Sequence, residues 1–156
     1  MRYLLDTNVF REMGKSEPHE NVRAWLAQID DGDLAISAIT VREVSKGIPR
    51  LRGKKPDTAK AIEARVGKAY DAFAERLLPV GKEVAELWGE LLGAREKHID
   101  DLGLVATASV YRLVLVSRNT RDLEGHDVAV LDPYRAPARI AADAAEPSTP
   151  RGRGQT

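Results

Sequence analysis

The chain contains no cysteine, so it has neither a disulfide framework nor thiolate ligands for a metal. Its three histidines, His19, His98 and His126, are scattered without the spacing of a zinc site. Aromatic residues make up only 5%, which leaves few rings for a stacking surface. There is no charge excess: 24 basic residues balance 24 acidic ones. Global attraction to nucleic acid is therefore absent, and any phosphate-binding surface must be a local patch offset by acidity elsewhere. A Gly-rich phosphate loop ending in Lys is missing, which excludes a P-loop nucleotidase. Long hydrophobic runs are missing too. Only three apolar residues separate Arg2 from Asp6, too few for a signal peptide, and the longest apolar stretch, Leu102 to Ser117, is broken by Arg112. These features predict no membrane span and a cytoplasmic location.

What is present is a chain of 156 residues, 43% hydrophobic and 31% charged, the composition of one globular domain with a real core. Tyr3-Leu4-Leu5, Leu34-Ala35-Ile36, Leu113 to Val116 and Val128 to Leu131 are short apolar runs without alternation. Strands buried on both faces of a parallel sheet have this pattern. Leu77-Leu78-Pro79-Val80 is a weaker fifth candidate, because Pro79 suits only an edge or a strand end. Helical spacing appears at Val22, Trp25, Leu26 and Ile29, at Ile62, Val66, Tyr70, Phe73 and Leu77, and at Val84, Leu87, Trp88, Leu91 and Leu92. The segment from Asp101 to Tyr111 is apolar on nearly every side, as a central buried helix would be. Alternating strands and helices predict an α/β sandwich with right-handed crossovers. The basic segment Arg50 to Pro56 reads as a loop. The folded domain is expected over residues 1–135, and residues 136–156, rich in Ala, Pro, Arg and Gly, as a disordered tail.

Four acids stand at the ends of these elements. Asp6 follows the first strand, Glu43 lies less than two turns into the helix after the second, Asp101 opens the buried helix, and Asp122 follows the turn after Leu113 to Ser117. In an open parallel sheet, ligands bind beyond the carboxyl ends of the strands. Buried carboxylates are costly unless compensated, and a hard divalent cation compensates them with oxygen ligands alone. Each acid also has a plain structural explanation. Asp6 can cap a helix starting near Asn8, Asp101 or its neighbour Asp100 can be an N-cap, Glu43 can pair with Lys46 or Arg42, and Asp122 can serve a turn. Capping alone does not account for four acids at mutually compatible places.

Five segments in order resemble a PIN-domain ribonuclease, specifically the VapC type of toxin. Tyr3-Leu4-Leu5-Asp6-Thr7-Asn8 is similar to the family's opening strand and first acid, and Ser37 to Glu43 followed by Gly47 to its second. Asp101 to Ala108, Ser117 to Leu123 and Leu131-Asp132-Pro133-Tyr134 resemble the third acid's helix, the last acidic turn and the closing strand end. The resemblance implies a PIN-like three-layer sandwich with a parallel sheet of about five strands flanked by helices. Gly103 departs from the pattern, standing where the family usually has Leu, at a helix-propensity cost of about 1 kcal/mol relative to Ala.

The expected activity is metal-assisted hydrolysis of RNA phosphodiester bonds with Mg²⁺ or Mn²⁺, and the resemblance implies 5′-phosphate and 3′-hydroxyl products. Asp6 and Asp101 would bind the cation, with Glu43 and Asp122 completing the set; whether Asn119 or Asp122 stands nearer the metal is open. Thr7, Asn8, Ser117 and Asn119 are candidates for orienting the acids by hydrogen bonds. Lys46, Arg50, Arg52, Lys54, Lys55, Arg118 and Arg121 are candidates for RNA phosphate contacts, with a solvated basic loop as the alternative. Trp25 and Trp88 lie on apolar helix faces and read as core, so recognition would rest on RNA shape and backbone. The resemblance further implies a VapB-type antitoxin that covers the acidic cleft, and a homodimer with the Trp88 and Ile62 helices as its surfaces. The competing readings are a PIN nuclease of RNA processing that is no toxin, and an inactive RNA- or partner-binding module. A haloacid-dehalogenase phosphatase would need a second Asp at Asn8, and a receiver domain a Lys after Leu131-Asp132-Pro133.

Overall fold

Short apolar strands become a sheet here because each has both faces covered. β1 (Tyr3–Leu5), β2 (Leu34–Ser37), β3 (Leu77–Leu78), β4 (Val114–Val116) and β5 (Val130–Leu131) pair in the order β3-β2-β1-β4-β5, all parallel. Tyr3 lies opposite both Leu34 and Val114. The computed structural model describes residues 1–123 and 125–140.

The period-two pleat sends alternate residues to two separate cores. Tyr3, Leu5, Leu34, Ile36, Val116 and Leu131 join one, under α1 (Thr7–Met13) and α2 (Glu20–Leu26). Leu4, Ala35, Leu115 and Val130 join the other, under α5 (Lys82–Leu92) and α6 (Ile99–Tyr111). A hairpin of two long helices, α3 (Ala38–Lys54) and α4 (Pro56–Ala72), and a single-turn α7 (Thr120–Leu123) complete the sandwich. In α6 every residue from Leu102 to Ala108 is buried, as its all-round apolarity predicts. The buried Thr107 hydroxyl is satisfied by the Gly103 carbonyl at 2.8 Å.

Three readings need correction. The Arg50 to Pro56 segment is no loop: α3 continues through it to Lys54 despite Pro49 in its interior, and α4 starts at Pro56. Pro56 sits in the first turn, where a missing N–H costs nothing. Packing of α3 along α4, with an Arg52–Glu63 ion pair between them, outweighs the propensity penalty of Pro49 and Gly53. Second, the helical stripe ending at Leu77 stops earlier. α4 closes at Ala72, Phe73 caps it, and Leu77 belongs to β3. Third, the expected tail does not begin at residue 136. Ala138 packs against the first core and Ile140 bridges Leu131 in antiparallel sense. Residues 141–156 of that expected tail lie outside the described residues.

Both tryptophans serve packing. Trp25 is buried edge-on to Tyr3, and Trp88 leans on the second core while its indole N–H donates to the Ile99 carbonyl at 2.8 Å. Among the described residues no helix is long and apolar enough to cross a membrane.

Candidate active site

The strand order reverses direction between β1 and β4, and this switch point opens a crevice at the carboxyl edge. Polar residues stand on that edge at four strand ends: Asp6 after β1, Ser37 at the end of β2, Ser117 after β4 and Asp132 after β5. All four are buried.

Asp6 does cap α1, its Oδ1 accepting from the Val9 amide at 2.8 Å. Capping and chemistry are therefore not rivals at this position. Burial pushes its carboxyl above the ordinary range, hydrogen bonds from the Ser117 hydroxyl and the Val9 amide oppose that, and the Asp101 charge adds to it. The Ser117 hydroxyl accepts the Asn119 amide at 3.0 Å.

Glu43 enters on α3, whose start is set by the Ser37 hydroxyl accepting the Ile39 amide at 3.0 Å. Its carboxyl is also raised, first by burial and further by Asp100 and Asp101, against a hydrogen bond from the Thr7 hydroxyl. Thr7 is braced in turn by Thr40, hydroxyl to hydroxyl at 3.1 Å. Thr40 is fully buried and sits one helical turn before Glu43 on the same face.

Asp101 lies in the first turn of α6 and caps nothing; the N-cap is His98. Neighbouring Asp100 is no cap either, since it pairs with Arg42 at 2.7 Å. That pair ties α6 to α3 one residue away from both Asp101 and Glu43, so Arg42 serves this link and not a pair with Glu43. Asp101 Oδ2 accepts from Asn119 Nδ2 at 3.3 Å. His98 adopts a left-handed backbone (φ 55°), costly for a side-chain-bearing residue, and this turns its Nδ1 to 3.5 Å from Asp101 Oδ2 and 4.0 Å from Asp122 Oδ2.

The acids thus fall into two ranks. Asp101 is electrostatically coupled to both Asp6 and Glu43. Asp122 stands half-exposed at the rim, joined to Asp101 through His98, while Asn119 contacts Asp101 directly. Asn8 is exposed. Among the basic candidates, Lys46 lines a cavity of about 350 Å³ with Arg42, Asp100 and Asp101. His98 divides it from a second of about 520 Å³ bordered by Asp122, Arg95, Lys97 and His126. Arg50, Arg52, Lys54 and Lys55 continue down α3 away from Glu43. Lys54, eleven residues on, is roughly 16 Å distant along the axis. Arg121 is exposed beside Asp122, and Arg118 lies across the Tyr134 ring.

The donor set is all hard oxygen, and two of its carboxyls, Asp6 and Glu43, are raised by burial and by the charge of Asp101, so its chemistry fits a divalent cation. Among the described residues no three Asp, Glu or His side chains are drawn into a closed cage. Sequence reasoning missed Thr40, His98 and the Arg42–Asp100 link. Thr40 at three residues before Glu43 and His98 at three before Asp101 were the available signals.

Known proteins resemble this chain along most of its length. Toxin FitB of Neisseria gonorrhoeae is 33% identical over 138 residues, 84% of this chain and 97% of that protein. VapC ribonuclease Y4jK of Sinorhizobium fredii is 28% identical over 137 residues, 84% of this chain and 96% of the relative. The crystal structure of FitAcB from Neisseria gonorrhoeae superposes with a TM-score of 0.72 at 33% identity, covering 85% of this chain and 98% of that one. Residues 3–144 match the family described as the PIN domain, and the chain belongs to that family.

Proposed function

We propose that this protein is a metal-dependent endoribonuclease and the toxin of a toxin–antitoxin pair. What supports the catalytic half is that the charge of Asp101 reaches both Asp6 and Glu43, the three acids coming from separate elements beside the switch point of the sheet. Kinship with proteins named as a toxin and a VapC ribonuclease supports the biological half. Asp6 and Asp101 would hold Mg²⁺ or Mn²⁺, with Glu43 and the rim acid Asp122 orienting its waters. A bound divalent cation supplies a water of lowered pKa and stabilises charge on phosphate oxygens. Ser117, Thr7 and Asn119 keep the acids in place by the hydrogen bonds described above. Lys46 faces the same cleft and meets the RNA backbone; Arg50, Lys54 and Lys55 would meet a longer strand farther along α3. A VapB-type antitoxin covering the cleft would restrain the enzyme, and a second copy of the chain would complete a homodimer.

Purified protein is expected to cut total RNA into discrete fragments with Mg²⁺ or Mn²⁺, and not with EDTA or after Asp6→Asn. Absence of cleavage under every metal moves the reading to an RNA- or partner-binding module. Growth arrest on expression, relieved by a neighbouring open reading frame, separates a toxin from an RNA-processing nuclease.

Two further outcomes follow from the site. A cation at 100 times its Kd should stabilise the fold by about 2.7 kcal/mol. For a chain of this size that is roughly 5–10 °C in Tm. Asp6→Asn should cancel the shift, and a parent protein that gains nothing from either cation contradicts the metal assignment. Thr40→Val keeps the packing but unbraces Thr7 and thereby Glu43. Cleavage or metal affinity should drop about 10–100-fold. Unchanged kinetics would reduce Thr40 to a core-filling role.

A further inference from the structure

Arg118 sits between two residues that act on the principal acids: the Ser117 hydroxyl opposes the rise of the Asp6 carboxyl, and the Asn119 side-chain amide donates to Asp101 Oδ2. Several other arginines of the domain are engaged. Arg42 pairs with Asp100, Arg52 with Glu63 and Arg135 with Asp132. Among the described residues Arg118 has no ion pair and no side-chain hydrogen bond. Its guanidinium carbon instead lies 3.7 Å from the centroid of the Tyr134 ring.

Tyr134 is built as a platform. Its amide donates to Asp132 Oδ1 at 2.9 Å, and its carbonyl accepts from Asn21 Nδ2 at 2.7 Å. His19 meets the ring edge-on, 5.0 Å between centroids. Burial, with the charges of Glu12 and Asp6 acting the same way, pushes its phenol up to about 12, so the ring stays neutral across the working range. A guanidinium laid flat on an aromatic face keeps its N–H groups free in its own plane, the geometry that matches two phosphate oxygens. Fixing it beforehand removes part of the rotamer entropy that a free Arg loses on binding.

We propose that Arg118, seated over the Tyr134 ring, grips an RNA phosphate at the acidic cleft, and that Tyr134 is the positioning residue that keeps it there. The inference rests on the nuclease reading above. A cation locked beside Ser117 and Asn119 offsets the repulsion between the acidic cleft and a polyanion, and it does so at the reacting end of the site. The cations of distal α3 are too far along the helix to do this.

The test uses the full chain and a 5′-labelled single-stranded RNA that the parent cuts. Binding is measured in an Asp6→Asn background at several salt concentrations, and cleavage in the parent background. Arg118→Gln should lower the slope of log Kd against log salt by about 0.7, one phosphate contact on a single strand. It should raise KM about tenfold with a smaller effect on kcat, and leave the Mn²⁺-induced rise in Tm intact. Arg118→Lys should not restore binding, because an ammonium lacks the planar fork. Tyr134→Phe should match the parent, and Tyr134→Leu should approach Arg118→Gln; should the Leu variant fail to fold, the Arg118 pair decides. Arg118→Gln that binds and cuts like a working parent overturns the inference and leaves the nuclease reading standing. Loss of antitoxin binding alone in Arg118→Gln overturns it equally. A parent that cuts no RNA with either metal overturns the nuclease reading itself, and the inference falls with it.

Discussion

Asp6→Asn should abolish cleavage while the metal-free protein melts at the same temperature or higher. Stabilisation of phosphate charge by a bound cation is worth several kcal/mol, and each 1.4 kcal/mol is tenfold, so the loss should be about 10³-fold. The fold tolerates the change because Asn caps a helix as well as Asp, and its Oδ1 can still accept the Val9 amide. Removal of the charge relieves both burial and the repulsion from Asp101. The sign with pH follows from linkage. A carboxyl whose folded pKa is raised takes up a proton on folding, so its folded state is favoured at low pH. That advantage is lost as pH rises from the ordinary Asp value through the raised one. The stability gap between Asp6→Asn and the parent should therefore be small below the ordinary Asp range, widen through that window, and stay flat above it. Glu12 acts in the opposite sense. Hydrogen bonds from Lys15 and the His19 amide hold its carboxyl below the usual range, so its contribution is lost as pH falls. Because Glu12 is present in both proteins, it cancels in the difference. Thermal melts in EDTA across pH 4 to 8 decide the matter, and an unfolded Asp6→Asn would reduce Asp6 to a structural cap.

Gly103→Ala should destabilise the protein, although Ala is the better helix former. A Cβ at Gly103 would lie 2.5 Å from Ile39 Cδ1 and 2.7 Å from Trp88 Cε2. The Ile39 methyl can swing aside, but the indole is anchored by its hydrogen bond to Ile99. Overpacking costs about 1–3 kcal/mol and occasionally more, against a propensity gain of about 1 kcal/mol. The net loss should reach about 2 kcal/mol, roughly 4–8 °C in Tm. Gly103→Leu, the residue usual in the family, should do worse. Asp101 is two residues away on the same helix, so pushing α6 outward also displaces an acid of the proposed metal site. A misplacement of about 1 Å can cost roughly 10²-fold in rate. Trp88→Leu should recover stability in combination with Gly103→Ala by more than the separate effects sum to. A Gly103→Ala protein as stable as the parent would show that α5 and α6 have room to spare.

That glycine shows where reading along the chain stops. In the sequence Gly103 is only a departure with a propensity cost; in the fold it is the gap that Ile39 and Trp88 fill, from elements 64 and 15 residues away. The Arg50 to Pro56 segment failed for a similar reason. Pro49 and Gly53 are local signals for a break, and the packing of α3 on α4 that overrides them is non-local. Thr40 and His98 carry no motif in the sequence, being a buried Thr and a lone His. Their meaning lies in distances to Glu43's partner Thr7 and to Asp101 and Asp122.

The sequence by itself determined the strands and their parallel pairing, the buried helix, and the position of all four acids at element ends. These follow from local apolar patterning and from which residues end each run, and both are written in consecutive residues. Only the tertiary structure decided the ranking of the acids, with Asp101 coupled to Asp6 and Glu43 and with Asp122 at the rim. It alone decided the hydroxyl chain behind Glu43, the left-handed turn of His98 and the seating of Arg118 on Tyr134. Electrostatic coupling and hydrogen bonding fall off over a few ångströms of space. Residues far apart in the chain acquire these relations only when sheet order and helix packing bring them within that range.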